Sequence, residues 1–308
     1  MNQLNTPILV IIFNRPHLVQ GLFDELKKQR PKQLFVFCDG ARKEKVGEKE
    51  LLDKSKAIFE TQIDWQCELK KYYLDQNKGA GRAVSSAIKW FFENVEQGII
   101  LEEDCFPGQD FFPYCEELLE RYKDDEKVMF IGGNNFQETN TSPYSYYFSS
   151  YAHIWGWATW RNTIDGYSFD VENISNKEFR KILKKYFNHS WHERGYWIDR
   201  FKLIKKNKIN SWDYQLLFNI WRKNGVCIIP SVNLVKNVGF SKDAIHCTNI
   251  DNDFANLSLS DIMPLSHPKT VEINKDADNF FFKKYNYKSA LRLLYRFLRR
   301  NLLSSKKH

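Results

Sequence analysis

No CxxC pair and no His/Cys zinc spacing occurs among the six cysteines, Cys38, Cys67, Cys105, Cys115, Cys227 and Cys247, which are scattered singly. This excludes a zinc ribbon or dithiol redox module and reads as reduced, structural thiols. Cys105 adjoins carboxylates, which raise a thiol pKa and argue against a thiolate nucleophile. Met1 to Pro7 lacks signal-peptide character, and no uninterrupted apolar run is long enough to span a bilayer. The expected location is the cytosol, at most peripheral on the inner face of the membrane. There is no Walker ending of Gly-Lys-Ser/Thr and no full GxGxxG fingerprint, which disfavours a P-loop enzyme and a dinucleotide oxidoreductase. Internal repeats and low-complexity segments are absent too. From Lys283 onward there are nine Lys/Arg and no acid, so the formal +8 is a property of the tail; the preceding residues carry 37 basic against 38 acidic groups. A nucleic-acid enzyme would more often spread its basic surface around the site, so nucleic acid is not an expected partner.

What is abundant is aromatic: 16% of residues, with nine Trp, more than a core alone needs, and sugars and bases both stack on such rings. At 308 residues the chain can hold one large α/β domain with an extra lobe. Pro7 to Phe13, PILVIIF, reads as a buried strand ended by Asn14, Arg15 and Pro16. Leu18, Val19, Leu22, Phe23 and Leu26 follow at helical spacing. A second strand over Leu34 to Cys38 stops at Asp39-Gly40, either a simple turn or an acid placed to accept from a base or ribose. A charged helix near Glu44 to Thr61 and a strand near Glu68 to Leu74 precede DQNKGAGRA, where Asn77, Gly79 and Gly81 open a helix. Its N-terminus, with Lys78 and Arg82, suits a diphosphate or ribose contact. Alternating strands and helices predict a mostly parallel sheet flanked by helices.

The stretch that concentrates chemistry is GIILEEDCFPGQDFF, Gly98 to Phe112. Ile99 to Leu101 reads as a buried parallel strand that runs into Glu102, Glu103 and Asp104. Three adjacent acids at the carboxyl end of such a strand call for a compensating cation, and Mg²⁺ or Mn²⁺ prefers carboxylate oxygen. Strand alternation allows Glu102 and Asp104 to point one way and Glu103 the other. The competing reading is a solvated acidic turn before a helix over about Asp110 to Tyr122.

A strand over Val128 to Ile131 ends in Gly132-Gly133-Asn134-Asn135. From Tyr144 the parallel rhythm stops and aromatics crowd YSYYFSSYAHIWGWATWR, either a pocket wall or a small aromatic core. The basic region Lys177 to Lys208, with Trp191 to Trp197, is a surface helix or an acceptor face. Asp213 opens a helix with Leu216, Leu217, Ile220 and Trp221 inward, followed by a strand over Val226 to Ile229. An acid there is a cap or dipole partner, or it presents a general base to a cleft. His246 lies on an irregular segment. Ser289 to Leu303 projects as an amphipathic helix, with Arg292, Arg296, Arg299 and Arg300 opposite Leu291, Leu294, Tyr295, Leu298 and Leu302. Such a helix suits an anionic membrane, a partner or a domain cap.

In order, FNRP, FCDG, NKGAGRA, ILEEDCFPGQDFF, WGWATWR, SWDYQLLFNIW and NLVKNVGFSKDAIHCT resemble the glycosyltransferases of the GT-A fold. The acid motif is similar to that of the N-acetylglucosaminyltransferase I enzymes, and WGWATWR and NVGFSKDAIH to bacterial sugar transferases of surface-polysaccharide clusters. The resemblance covers about residues 7 to 250. It implies a Rossmann-like sheet with an aromatic-rich acceptor lobe, divided as a nucleotide-sugar-binding half (1–140), an acceptor-binding half of the same domain (141–265) and a basic tail (266–308). It further implies that Asn14, Arg15, Asp39, Asn77 and Arg82 contact the donor, Asp39 at the base or ribose. Asp104 would be the principal metal ligand, Glu102 and Glu103 would contact metal, ribose or donor sugar, and His246 would complete the metal site. Asp213 would be the catalytic base. The implied partners are a nucleotide-sugar donor, UDP-linked by default, a glycan or lipid-linked acceptor, and Mn²⁺ or Mg²⁺. The alternatives are a sugar nucleotidyltransferase, which would want a Gly-rich, Arg-containing loop directly after the first strand, and a non-catalytic carbohydrate-binding or membrane-adaptor protein.

Overall fold

The computed structural model describes residues 3–139, 141–171, 174–239 and 257–286. The chain divides into two compact units, Met1–Phe169 with Ser211–Ile273, and Asp170–Asn210 with Asn274–His308. The two halves expected on either side of residue 140 both contribute to the first unit. His246 and the predicted tail helix lie outside the described residues.

The first unit is a sheet layered between helices. Its elements run β1 (Ile8–Ile12), α1 (Pro16–Gln29), β2 (Gln33–Cys38), α2 (Glu48–Thr61), β3 (Glu68–Tyr73), α3 (Ala80–Asn94), β4 (Gln97–Glu102), β5 (Cys105–Pro107), α4 (Phe111–Arg121) and β6 (Val128–Gly132). Then follow β7 (Tyr146–Ser149), β8 (Trp157–Trp160) and the short α5 (Arg161–Ile164). After α6 (Asn176–Tyr186) and α7 (Trp191–Lys205) of the second unit come α8 (Asp213–Arg222), β9 (Val226–Pro230) and β10 (Val235–Asn237). Eight strands form one sheet in the order β3-β2-β1-β4-β8-β6-β9-β7, and β5 pairs with β10 in a small second sheet. The first four strands are mutually parallel, β8 is antiparallel to both its neighbours, β9 is parallel to β6, and β7 closes the edge antiparallel. Six of the eight strands therefore run one way, as the alternating pattern predicts.

The strands read from continuous apolar runs are those buried on both faces. Ile8 to Ile12 and Ile99 to Leu101 are buried, because helices cover each side. The aromatic run behaves differently from either sequence reading. It supplies β7 and β8 to the same sheet, and β8, WATW, occupies the centre between β4 and β6. Trp157 there stacks between Phe130 (5.2 Å between centroids) and Trp212 (5.6 Å). The ring column joins β6, β8 and the residue that precedes α8. Four residues of W-A-T-W are too short and too bulky to show a period, and the pairing on both sides makes the strand.

The second unit is helical. Ser175 and Ser190 open α6 and α7 by accepting from the amides of Glu178 and Glu193, the Ser-x-x-Glu arrangement of a capping box. Phe179 of α6 stacks on Phe201 of α7 at 4.0 Å. The unit also contains α9 (Lys275–Phe281) and a π-helical turn over Phe282–Asn286, where Phe282 meets Tyr196 edge-on at 5.7 Å. Among the described residues, no helix is long and apolar enough to cross a membrane.

Candidate active site

The parallel register of β1 and β4 sets Ile11 beside Glu102, and the ladder continues with the Glu103 amide donating to the Ile11 carbonyl. The turn after β1 is thereby laid against the acids. The Phe13 amide donates to one oxygen of Glu103 at 2.5 Å and Arg15 Nε to the other at 2.5 Å, while Arg15 Nη2 reaches Asp104 Oδ2 at 2.9 Å. The chain thus carries within itself part of the compensating cation that the acidic triplet demands. Glu103 is 3% exposed, with both oxygens facing protein donors. Burial pushes its pKa up, and Arg15 and the Phe13 amide oppose that. Burial also works against the charge of Arg15, but Glu103 and Asp104 more than offset it and raise its pKa.

One guanidinium does not neutralise the site. Glu102, partly buried at the end of β4, has its pKa pushed up to about 8 by desolvation first, then by the neighbouring charges of Asp104 and Asp213. Among its dominant neighbours in the described residues, Arg15 is the one cation. Asp213 arrives on α8, whose Leu216, Ile220 and Trp221 are buried. It lies at the helix's first position, where the dipole favours the carboxylate, and accepts from the Ser211 hydroxyl. Glu102 therefore lies close enough to Asp104 and to Asp213, which is 111 positions away in sequence, to feel the charge of both.

The donor set suits a hard divalent ion. Among the described residues no three His, Cys, Asp or Glu side chains converge as a ready-made metal site. Such an ion, however, is often bound through one or two carboxylates and completed by waters and substrate phosphates, and the excess negative charge at Glu102 and Asp104 favours it. The Asp104 carboxylate is fixed by Arg15 and by close approach of the segment that follows β10. The Val238 amide donates to the Asp104 carbonyl at 2.9 Å, and a Cβ on Gly239 would lie 2.3 Å from Asp104 Oδ2. Any side chain at 239 would displace the carboxylate.

Asp39 and Asn77, both expected at the donor, meet each other. Asp39 accepts from Asn77 Nδ2 (3.0 Å) and from the amides of Gly40 (2.9 Å), Lys78 (2.9 Å) and Gly79 (3.0 Å). The anion at the mouth of α3 is thus the protein's own, and it shapes the 76–79 loop. Burial raises the Asp39 pKa, against the pull of these amides. Gly40 is required by packing, since a Cβ would fall 2.4 Å from the backbone carbon of Gln76.

Asn14 donates to Glu48 at 2.9 Å. Glu48 carries no motif in the sequence, yet it is 3% exposed and also takes the Arg42 amide and guanidinium. Burial alone would raise its pKa; Arg42 and Asn14 hold it below the usual range. Its position in the first turn of a charged helix gives no hint of burial. Arg82 lies over the Phe169 ring at 4.6 Å. The same loop is tied to α8 by Gln215 Nε2 donating to the Phe169 carbonyl (3.1 Å) and Tyr167 donating to the Trp212 carbonyl (3.2 Å). A continuous set of contacts therefore links the start of α3 to Asp213. Neither Tyr167 nor Phe169 carries a motif by which sequence reasoning would find it.

A carboxyl with a raised pKa makes stability depend on pH. Between the unfolded value near 4.3 and the folded value of about 8, the folded state holds a proton at Glu102 that the unfolded state has lost. Stability therefore falls as pH rises across that window, by up to about 1.4 kcal/mol per pH unit for one proton. Glu102→Gln is expected to flatten the decline in urea midpoints between pH 5 and 8, and an unchanged slope would place the proton elsewhere.

No family model and no curated protein matches the chain. Among solved structures it is similar to HddC from Yersinia pseudotuberculosis, with 12% identity over 54% of this chain and 84% of that one and a TM-score of 0.34. It is similar also to a cytidylyltransferase from Leptospira borgpetersenii, with 10% identity, 54% and 63% coverage and a TM-score of 0.33. UDP-glucose pyrophosphorylase complexed with UDP-glucose gives 10% identity, 72% and 89% coverage and a TM-score of 0.36. At these scores the likeness assigns no function, which has to be argued from the residues.

Proposed function

We propose that this chain is a nucleotide-sugar-dependent glycosyltransferase, inverting and assisted by Mn²⁺ or Mg²⁺, that extends a glycan or lipid-linked acceptor. The observation that carries the reading is the electrostatic contact of Asp213 with Glu102, alongside Asp104, at the carboxyl end of a central parallel strand. Sheets of this kind bind ligands at that end. A divalent ion held by Asp104 and Glu102 would stabilise the negative charge that develops on the departing diphosphate. Asp213 takes the proton of the acceptor hydroxyl as its oxygen attacks the anomeric carbon from the face opposite the diphosphate. The bond from that carbon to the diphosphate breaks and the configuration inverts. Arg15 holds Asp104 in place, Arg82 contacts the donor, and Asp39 keeps the 76–79 loop in shape for it. UDP is the default nucleotide by resemblance.

Nucleotidyl transfer is the second reading. It is the activity in the name of one solved structure similar to this chain, the cytidylyltransferase. Against it stands the loop after β1, Phe13-Asn14-Arg15-Pro16, which has no glycine and whose arginine is engaged by two acids.

Thermal stabilisation by a panel of nucleoside diphosphates and nucleotide sugars, with and without Mn²⁺, tests the reading. A ligand present at about 100 times its Kd adds roughly 2.7 kcal/mol, or a rise of roughly 4 °C for a chain of this size. That rise is expected with Mn²⁺ and one nucleotide, and to vanish in Asp104→Ala. Pyrophosphate release from a sugar 1-phosphate and a nucleoside triphosphate would favour nucleotidyl transfer instead. No shift with any nucleotide, in folded protein, would leave the glycan-binding reading.

A further inference from the structure

The positive charge of the chain is segregated. Residues 170–210 and 274–308, the second unit, contain 21 Lys and Arg against 7 Asp and Glu, a formal +14, which leaves 25 against 31, or −6, for the first unit. The basic tail accounts for part of this, and α6 for much of the rest. Lys177, Arg180, Lys181, Lys184 and Lys185 are all exposed. At 100° per residue they occupy one arc of about 140° over roughly 12 Å of helix.

The opposite face of α6 is already in use, since Phe179 and Leu183 are buried and Phe179 stacks on Phe201. Its single acid, Glu178, belongs to the capping box at the helix start. The ion pairs of the neighbouring helix, His189–Glu193 and Arg200–Asp199, involve none of Lys177, Arg180, Lys181 and Lys184. A ridge of like charges on one face costs the folded state self-repulsion, which an external polyanion relieves.

We infer that the α6 ridge is an electrostatic docking face for an anionic lipid surface. Four of its five cations are lysines, point charges suited to attraction by a charged plane, whereas bidentate phosphate recognition in nucleic acids favours arginine. The ridge is a convex helix face, and the two aromatics of α6, Phe179 and Tyr186, fall on the side opposite the basic arc, so it offers no row of rings on which bases could stack. Trp191, 58% exposed at the start of α7 in the same unit, is the kind of side chain that settles at a headgroup boundary. The sequence from 287 to the end adds seven more Lys and Arg with no acid, interspersed with leucines. The ridge and Trp191 provide the two signals, charge and apolar contact, that stable peripheral binding needs. This inference stands independently of the reaction proposed above.

The test is flotation of the full chain with vesicles of phosphatidylcholine alone and with added phosphatidylglycerol, at about 0.1 M and about 0.5 M NaCl, where the Debye length falls from about 10 Å to roughly half. Binding is expected to the anionic vesicles at low salt and to be lost at high salt. The fourfold reversal Lys177→Glu, Arg180→Glu, Lys181→Glu and Lys184→Glu, with the tail intact, is expected to weaken partition by at least tenfold. Each cation near the surface contributes roughly fivefold. Circular dichroism and an unchanged urea midpoint would show that the variant remains folded, and Trp191→Ala, which removes no charge, is expected to lose a few-fold. Equal binding to neutral vesicles, or an unaltered partition in the fourfold variant, would overturn the inference. So would a preference for RNA or an acidic polysaccharide over the vesicles.

Discussion

Arg15→Met is expected to destabilise the protein by about 3–5 kcal/mol, the cost of leaving a buried charge without its partner. The geometry makes this pair costly to break: Glu103 and Asp104 share one guanidinium at 2.5 and 2.9 Å, and the side chains of Arg15, Glu103 and Asp104 are 24%, 5% and 19% exposed. Urea unfolding at pH 8 would measure the loss. The deficit has a definite pH dependence. Without Arg15 the folded pKa of Glu103, already raised by burial, rises further above the unfolded value, so the variant loses stability as pH climbs from near 4.3 through that folded pKa. Towards the acid end of that window the carboxyl takes up its proton and the deficit shrinks. Arg15→Lys restores the charge but not the fork that reaches two acids, and an intermediate loss is expected. A loss below about 1 kcal/mol for Arg15→Met would place this pair with solvent-screened surface bridges.

Asp213→Asn is expected to lower kcat for sugar transfer by about 10²–10⁴, the range of a general base, while the metal- and nucleotide-dependent stabilisation persists. Asparagine still accepts from the Ser211 hydroxyl and still begins α8, so the local structure is retained. The alternative role, a dipole partner at a helix start, predicts something else: a stability loss of about 0.3–1 kcal/mol and near-normal turnover. Steady-state kinetics and a melting curve on one preparation separate the two. Full turnover would reject Asp213 as the base.

The strands that carry the site were readable because they are buried on both faces and therefore spelled in uninterrupted apolar residues. Pro7 to Phe13 and Ile99 to Leu101 locate β1 and β4 within one or two residues. What could not be read is what depends on register. Arg15 shows only as a cation after a strand; its partners are 88 and 89 positions away, and they meet because Ile11 pairs with Glu102. Asp39 is visible as an acid ending a strand, but three of the four donors around it are backbone amides, two of them from another loop, which no side-chain pattern reveals. β8 was hidden for a different reason. In Trp157 to Trp160 the bulk of the indoles masks the strand, and only its two flanking neighbours define it. The α6 ridge was legible as a basic region, whereas its inward face required Phe201 to be in place.

The central position of β8 has a consequence for how the chain acquires its structure during synthesis. β3, β2, β1 and β4 are contiguous both along the chain and across the sheet, so this block pairs as soon as residue 102 is available. β6 follows β4 in sequence but is separated from it in the sheet by β8. From the emergence of β6 until Trp160 is free, β4 and β6 each present an unpaired hydrophobic edge, the kind of surface that captures another chain. β8 closes the facing edges of β4 and β6 in one event, and the far edge of β6 is closed later by β9. A nascent chain stalled before that point exposes both of these edges to aggregation, and the acids at the end of β4 wait beside its open edge.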